Sequence, residues 1–553
     1  MSENLSNLSG RKRLEKNLFE ELGKAALNYG TPSPQDLERL ADEFLFGKAN
    51  TFGSVSFYDF MKPENKGKKA YVCNGTACLC SGKQDAVKDE LKKHFKPEEI
   101  GHITCLGRCH ENGAFHFDGR NYSAINADEI AAIIKNKKSQ SDSYIVKAHG
   151  NPVLTTPFAG LDAHYSVLKA ALKKDSSDIL DEIKKSNIRG RGGAGFPMGI
   201  KLESCRNTKS ETKFIICNAD EGDPGAYSDR YLLEQRPHSV LLGMMLAGYA
   251  AQANYGVLYI RAEYPEAVNV IEIAIKELQD KNFIGKNIFG SGFNFEFKII
   301  KAQGAYICGE ETALINSIEG QRPEVRTRPP YPAQRGLFNK PTIVNNVETL
   351  ASLPFIINNG GSAYNKLGTE KSSGTKLICL DSFFNAPGIY EVEMGTPLAF
   401  IVNELGGGFK EPVKAMQIGG PLGGVIPVSR IKDLTVDFES FAQNGFMLGH
   451  ASIVCIPEKF PMIKYIEHLF EFAAYESCGK CFPCRLGTKR GYELVNKAGN
   501  TEYLIDRELF NDLLNTLQQG SLCAHGGGIP LPIKNILQYF ESELKPYFSN
   551  QIV

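Results

Sequence analysis

Three cysteines stand at C-x2-C-x2-C in the segment Glu476-Ser477-Cys478-Gly479-Lys480-Cys481-Phe482-Pro483-Cys484. One tight loop of this kind can hold three corners of a cubane cluster, and a fourth thiolate must come from elsewhere. Cys523, in Ser521-Leu522-Cys523-Ala524-His525-Gly526, is the candidate. Four cysteine ligands suit a [4Fe–4S] cluster. A structural zinc ion is the alternative, although zinc sites favour paired C-x2-C hooks over a triple run. A second set combines Cys73 and Cys78, spaced C-x4-C, with Cys105 and Cys109, spaced C-x3-C. Each pair can hold one iron of a [2Fe–2S] cluster, with zinc again the alternative. Cys80 is a fifth thiol in that neighbourhood and reads as a spare.

Other motifs suit phosphate and hydroxyl groups rather than metals. Gly190-Arg191-Gly192-Gly193-Ala194-Gly195-Phe196-Pro197 contains G-x-G-x-x-G. An ordinary dinucleotide fingerprint follows a strand, whereas residues 178–186 here read as helix. The loop is therefore a phosphate-cradling turn of another kind, in which glycines let backbone N–H groups approach an anion. Lys201 can add a positive charge. The segment Cys217-Asn218-Ala219-Asp220-Glu221-Gly222-Asp223-Pro224-Gly225 follows a predicted strand. Acids at the carboxyl end of a parallel strand often line a ligand crevice; a solvated acidic turn is the alternative. The segments 304–313 and 345–349 (Asn345-Asn346-Val347-Glu348-Thr349) could donate to a phosphate or serve as ordinary helix caps.

The elements that must position these groups follow from pattern. Residues 14–27 show apolar side chains at helical spacing, and Ser33 can cap a helix opening at Pro34. Residues 69–73, 103–105 and 114–117 read as strands and 82–95 as a helix. A polar stretch at 137–143 reads as a linker. Strands at 214–217, 257–260 and 295–301 alternate with helices at 239–253 and 265–281, which implies a mainly parallel sheet with crossover helices. A glycine-rich α+β module opens with a strand at 376–380. Helices at 462–475, 486–498, 507–518 and 533–544 close the chain.

Composition bounds the reading. The 553 residues suggest three or four domains. Lys+Arg 63 balances Asp+Glu 63, which excludes a general nucleic-acid binder needing a basic face. The 33 Phe and 22 Tyr can fill several cores, which excludes a disordered chain. The longest apolar run, 240–251, is too short to span a membrane. The polar amino terminus lacks an apolar signal region, so a reducing cytoplasm is expected, where clustered cysteines read as metal or redox groups.

Together, the segments from about 150 to 530 resemble the flavin subunit of the NADH-oxidising module of respiratory complex I, and its relatives in soluble NAD-linked hydrogenases and formate dehydrogenases. Residues 1–135, with CNGTAC, CLGRC and the preceding Ser56-Phe57-Tyr58-Asp59-Phe60, resemble the thioredoxin-like [2Fe–2S] partner of that subunit, here fused in front. The resemblance implies an α/β multidomain fold. Its expected parts are N-terminal helices with a thioredoxin-like [2Fe–2S] domain (1–140), a Rossmann-like FMN/NAD(H) domain (150–366), a ubiquitin-like module (367–458) and a helical bundle with the [4Fe–4S] cluster (459–553). It further implies an FMN site at Gly190, Gly192, Lys201, Asn218, Asp220, Gly309, Glu310, Asn345, Asn346 and Thr349. NAD(H) would stack over the flavin near Phe196, Asp223, Glu311, Arg328 and Tyr331. Complex I members usually carry Glu at the position of Asp223 and Lys at that of Arg328; both charges are kept here, and Arg changes the hydrogen-bond geometry. Ser204 stands where some members have an aromatic.

The chemistry implied is hydride exchange between NAD(H) and FMN and single-electron exchange with the clusters, with no side chain required as acid or base. The fusion and the absence of a C-x2-C-x2-C-x3-C-P run after the last helix lead to the expectation of a diaphorase subunit. It would serve a soluble formate dehydrogenase or hydrogenase, with that enzyme's catalytic subunit and further iron–sulfur subunits as partners. The segment 526–533 resembles the formate dehydrogenase relatives. The alternatives are the NADH-input module of a respiratory NADH:quinone oxidoreductase, or a redox-silent docking scaffold. Neither nucleic acid nor direct membrane insertion is expected.

Overall fold

The computed structural model describes residues 14, 16–27, 29–124, 126–136, 140 and 143–549. Most of the expected linker at 137–143 lies outside these residues. The amino-terminal helix Leu18–Ala26 is capped by Asn17, whose Oδ1 accepts from Phe19 N while its Nδ2 donates to Ile318 O at 2.6 Å. Ser33 caps Pro34–Glu43 through Asp36 N, as its spacing implies.

Strands β1 (Ala70–Cys73), β2 (Ile100–Ile103), β3 (Ala114–Phe117) and β4 (Arg120–Ser123) form a sheet in the order β2-β1-β3-β4. Two local expectations change here. Cys105 is not in a strand: β2 ends at Ile103, and Cys105 turns the chain at φ 46°. The helix expected at 82–95 is shorter, Gln84–Leu91, and a further short helix, Thr76–Ser81, carries Cys78 before it, with Gly82 at φ 65° between them. A left-handed residue ends a helix, and glycine takes that conformation without steric strain.

Strand β5 (Ile145–His149) precedes the parallel sheet of β6 (Phe214–Ala219), β7 (Tyr255–Ile260), β8 (Glu296–Lys301) and β9 (Thr342–Asn346), ordered β8-β7-β6-β9. The chain runs outward from β6 to β8 and then returns to the other side of β6. The strand order therefore switches between β6 and β9, where a crevice opens beyond the carboxyl ends. The register sets Cys217 beside Asn345 and Asn218 beside Asn346. One face of this sheet carries the helix Pro237–Ala251, which is buried almost all round, as its unbroken apolar sequence requires. Gly243 in it touches the Val347–Ala351 helix so closely that a Cβ would lie 1.9 Å from Leu350 O. The other face is covered by the amino-terminal segment: Leu18, Phe19, Leu22 and Tyr58 share a core with Ile216, Val257, Tyr259 and Val344.

Strands β10 (Thr375–Leu380), β11 (Gly388–Glu393), β12 (Val413–Ile418), β13 (Gly424–Pro427) and β14 (Ser452–Pro457) form a mixed sheet, which β5 joins in parallel with β11. The helices Met462–Tyr475, Phe482–Asn500, Arg507–Gly520 and Pro530–Tyr539 follow. Among the described residues no helix is long and apolar enough to cross a membrane.

Candidate cofactor-binding site

The crevice between β6 and β9 gathers most of the expected flavin residues. The Gly190 loop closes on itself through Gly190 N to Phe196 O at 2.9 Å. It packs on β9: a Cβ on Gly192 would meet Asn346 Cβ at 3.0 Å, and Arg191 N donates to Thr349 Oγ1 at 2.9 Å. Asn218 Nδ2 donates to Gly309 O at 2.8 Å, which draws the 306–309 turn over the end of β6. Beside it a Cβ on Gly309 would lie 3.5 Å from Asp220 O. Glu310 caps the helix Glu311–Ile318 by accepting from Thr312 N and Ala313 N. Asn346 is also committed: its Oδ1 accepts from Glu348 N at 2.9 Å, and its Nδ2 donates to Asp229 Oδ2 at 2.6 Å. Its part is thus to shape the crevice floor rather than to offer both amide hydrogens to an anion. Asn345 Nδ2 is buried without a protein partner. A buried amide needs an acceptor, and a flavin mononucleotide has acceptors enough. Open glycine backbone, an orphaned amide and the nearby Lys201 fit that group.

The expected nicotinamide residues divide into two groups. Lys201 Nζ lies 3.2 Å from Glu311 Oε2, and Arg328 Nη1 lies 3.1 Å from Glu311 Oε1, so three charges share the rim. Lys201 also donates to Val344 O at 2.7 Å. Phe196 and Tyr331 are 51% and 55% exposed at the mouth, a large apolar area left for a planar ligand to cover. Asp223 stands apart from that rim: it accepts from Tyr306 Oη at 2.7 Å and presses against Gly420.

Sequence alone gave no weight to several residues that hold the crevice. Arg191 is fully buried and donates to Thr375 O and Ser373 O, which ties the glycine loop to the β10 module. Glu348 accepts from Lys376 Nζ, an ion pair with both side chains almost wholly buried, and from Leu377 N at 3.0 Å. Glu221, Asp229 and His450 form the only group of three ligating side chains packed within 4.8 Å among the described residues. Burial and then the Asp229 charge raise Glu221 to about 7. Burial lowers His450, but Asp229 and Glu221, each at 3.6 Å, outweigh it and lift the imidazole to about 9. The group is therefore a charged histidine held between two acids. Arg191, Glu348 and Glu221 stand inside motifs read for their glycines, amides and acids, whereas Asp229, Lys376 and His450 stand in none; a lone His in a loop gives no periodic signal.

The cysteine sets differ in geometry from a single-ion site. A tetrahedral zinc with bonds of about 2.3 Å brings four sulfurs within about 3.8 Å of each other. No three cysteines approach so closely among the described residues. Cys105 and Cys109 have sulfurs 3.6 Å apart, and Cys73 hydrogen-bonds Cys78. Two pairs, each suited to one ion, fit a two-iron cluster. Gly225 N donates to Cys109 Sγ at 3.3 Å from the β6–β7 crossover, so the flavin domain touches this site directly. Cys105 and Cys109 share a core with Tyr227 and Ile260.

The second set gathers at the start of the helix Phe482–Asn500, where Cys481 is the N-cap residue and Gly479 turns at φ 79°. Cys523 caps Ala524–Gly528, and a Cβ on Gly526 would meet Cys484 Cβ at 2.7 Å. Cys478 packs with Ile307 and Ala313 of the flavin domain and with Cys523. Burial, with neighbouring thiols adding to it, pushes Cys484 up to about 11 and Cys523 up to about 12. Thiols so placed become thiolates when a cation compensates them, as cluster iron does.

Three family models match the chain. The Nuo51 FMN-binding domain matches residues 183–354, the NADH-ubiquinone oxidoreductase-F iron-sulfur binding region 464–547, and the thioredoxin-like [2Fe-2S] ferredoxin 6–138. The NADP-reducing hydrogenase subunit HndC of Solidesulfovibrio fructosivorans is 41% identical over 392 residues, 70% of this chain and 79% of that one. The F subunit of the NADH-quinone oxidoreductase of Escherichia coli is 35% identical over 427 residues, 76% of this chain and 96% of that one. The chain belongs to the family of NADH-quinone oxidoreductase F subunits. As a member it is an NADH-oxidising flavin/iron–sulfur oxidoreductase subunit with FMN, [4Fe–4S] and [2Fe–2S] domains. Members of this family belong to larger assemblies, so other subunits of such an assembly are its partners. Its fold matches the NAD+-reducing [NiFe]-hydrogenase in the H2-reduced state with a TM-score of 0.85 at 28% identity, over 97% of this chain and 93% of that chain.

Proposed function

We propose that the chain is the NAD(H)-handling diaphorase subunit of a soluble NAD-linked hydrogenase, with a formate dehydrogenase as the second reading. One observation carries this choice. The likeness of structure to the NAD+-reducing hydrogenase covers 97% of the chain, amino-terminal domain included. A fused [2Fe–2S] domain is thus a feature this chain shares with a hydrogenase subunit. The formate reading rests on the segment 526–533 alone.

In this reading the four expected units, 1–140, 150–366, 367–458 and 459–553, each have one task. Bound FMN supplies two-electron exchange with nicotinamide and one-electron exchange with iron–sulfur clusters. Gly190, Gly192 and Lys201 hold its phosphate. Asn218, Asp220, Gly309, Glu310, Asn345, Asn346 and Thr349 hold the ribityl chain and shape the floor. Phe196 and Tyr331 cover the nicotinamide and exclude water, while Glu311 and Arg328 orient the nucleotide and Asp223 limits it on the far side. Cys478, Cys481, Cys484 and Cys523 ligate the [4Fe–4S] cluster, and Cys73, Cys78, Cys105 and Cys109 the [2Fe–2S] cluster. Phe482 and Leu486, 69% and 58% exposed beside Cys481, form the apolar surface on which an electron-accepting subunit docks.

The test is to purify the tagged chain anaerobically with its assembly, record the visible spectrum and titrate with NADH. Flavin and cluster absorption bleached by NADH, together with hydrogen-dependent viologen reduction by the co-purified subunits, is the expected result. Formate-dependent reduction selects the second reading, and a colourless zinc protein overturns both.

A further inference from the structure

Behind the crevice, Asp220, Arg261 and Glu263 converge on a cavity of about 10 Å3. That volume holds roughly one water molecule. Asp220 Oδ2, Arg261 Nε and Glu263 Oε2 are all buried and lack a protein partner. The other two nitrogens of the Arg261 guanidinium each have a protein partner: Nη1 donates to Glu221 O, and Nη2 donates to Cys105 O and to Glu263 Oε1, each at 2.8 Å. One donor and two acceptors face a common space. A single water answers all three, accepting from Arg261 and donating to the two carboxylates.

The cavity shares part of its wall with a surface cleft. Asp59 and Glu476 line it and also line a cleft of about 500 Å3, whose walls include Lys68, His102 and Arg322. Asp59 is held by Lys62 at 2.5 Å and by Tyr475 Oη at 2.6 Å, and Glu476 accepts from Tyr306 N at 2.9 Å. Polar atoms therefore continue from Asp220, at the carboxyl end of β6, to the outer cleft.

We propose that a water held by Asp220, Arg261 and Glu263, with Asp59 beyond it, carries the reaction's proton between the flavin crevice and solvent. The proposal rests on the flavin reading of the crevice. Oxidation of NADH gives NAD+, two electrons and one proton. Iron–sulfur clusters accept only the electrons, so one proton per NADH must leave; in the reverse direction one must enter. A nucleotide seated at Phe196 and Tyr331 closes the crevice mouth, and the exit lies on the opposite side. Transfer through water requires no lasting change of charge on the lining side chains.

Two measurements test this. A crystal structure of the flavin-loaded chain, at a resolution that shows ordered water, is expected to place one water within hydrogen-bond reach of Arg261 Nε and Glu263 Oε2; a dry cavity overturns the proposal. In Glu263→Leu, which removes the acceptor and fills the space, single-turnover mixing with NADH and a pH indicator is expected to show proton release and cluster bleaching slowed together by about 10-fold or more. The rate of NADH oxidation at the first step stays unchanged, and Glu263→Gln, which keeps an acceptor, restores the rate. Proton release at the wild-type rate from a Glu263→Leu chain with full flavin and cluster content overturns the proposal. If that variant does not retain flavin, the ordered-water structure of the wild-type chain decides. A wild-type chain that never binds flavin defeats the flavin reading instead, and its absorbance shows this independently.

Discussion

The two cysteine sites use the same ligand and sit in opposite surroundings. Cys73, Cys78, Cys105 and Cys109 are all buried, and the last two share the flavin domain's own core. Cys481 and Cys523 are only partly buried, beside exposed Phe482, Leu486 and Leu522. A buried metal site adds its binding energy to the fold around it. A site at a rim leaves the fold largely independent and keeps the cluster near whatever docks there. The first site is thus part of the structure that holds the flavin crevice, and the second, in the proposed function, is its outlet.

The largest expected difference is in stability. Cys105→Ser removes a proposed [2Fe–2S] ligand at the joint between two domains, where Arg261 and Gly225 also meet. It is expected to destabilise the chain by about 4 kcal/mol or more, with loss of flavin as well as the [2Fe–2S] signal. Cys481→Ser is expected to abolish the [4Fe–4S] signal and electron output while NADH still bleaches the flavin. Thermal unfolding and electron paramagnetic resonance of the two variants check this; equal melting temperatures would erase the contrast.

Charges repeat the pattern. Glu348→Gln breaks the buried pair with Lys376 under the crevice and is expected to destabilise by about 3–5 kcal/mol. Glu324→Gln breaks the 3.0 Å pair with Lys480 beside the outer cysteines, whose side chains are 35% and 47% exposed, and is expected to change stability by less than about 1 kcal/mol. Denaturant titration of both variants sharpens the comparison.

Acidity offers a third probe of the buried side. Glu221 and His450 both have folded pKa values above their ordinary ones, about 7 against 4.5 and about 9 against 6.5. Each binds its proton more tightly folded than unfolded. Their stabilisation is complete at low pH and is lost as pH rises through those folded values. The melting temperature is therefore expected to fall between about pH 4.5 and 9, Glu221 acting below about 7 and His450 above 6.5, with His450→Gln flattening the upper part of the slope. The contribution is on the order of 1–3 kcal/mol. A melting temperature that rises over this range contradicts the ion contacts drawn here. The smallest effect on the fold is expected at the rim. Phe482→Asp is expected to change stability by less than about 0.5 kcal/mol while abolishing co-purification of the electron-accepting subunit.

Local pattern made several elements legible. The alternation of strands and helices over 214–301 implied the parallel sheet, although its fourth strand, β9, was not expected, and the helix Met462–Tyr475 has the predicted bounds because its apolar spacing is regular. Cys105 defeated the pattern: Ile103, Thr104 and Cys105 look like a strand, but the turn that brings Cys105 to Cys109 needs φ 46°. The helix Thr76–Ser81 was hidden because six residues carry too little periodicity to register. Strand β4 was hidden likewise, since Arg120–Ser123 is short and mostly polar.

The sequence by itself determined the chemistry. Cysteine count and spacing selected iron–sulfur clusters, the glycine run selected a phosphate, and both depend on residue type within a few positions. Only the tertiary structure decided which atoms remain free to act. Asn346 is drawn to Asp229, Thr349 to Arg191, and Lys201 to Glu311, while Asn345 Nδ2 and Arg261 Nε are left unpaired. Partners of this kind come from segments far apart in the chain, and hydrogen-bond commitment is a property of their juxtaposition rather than of any local pattern.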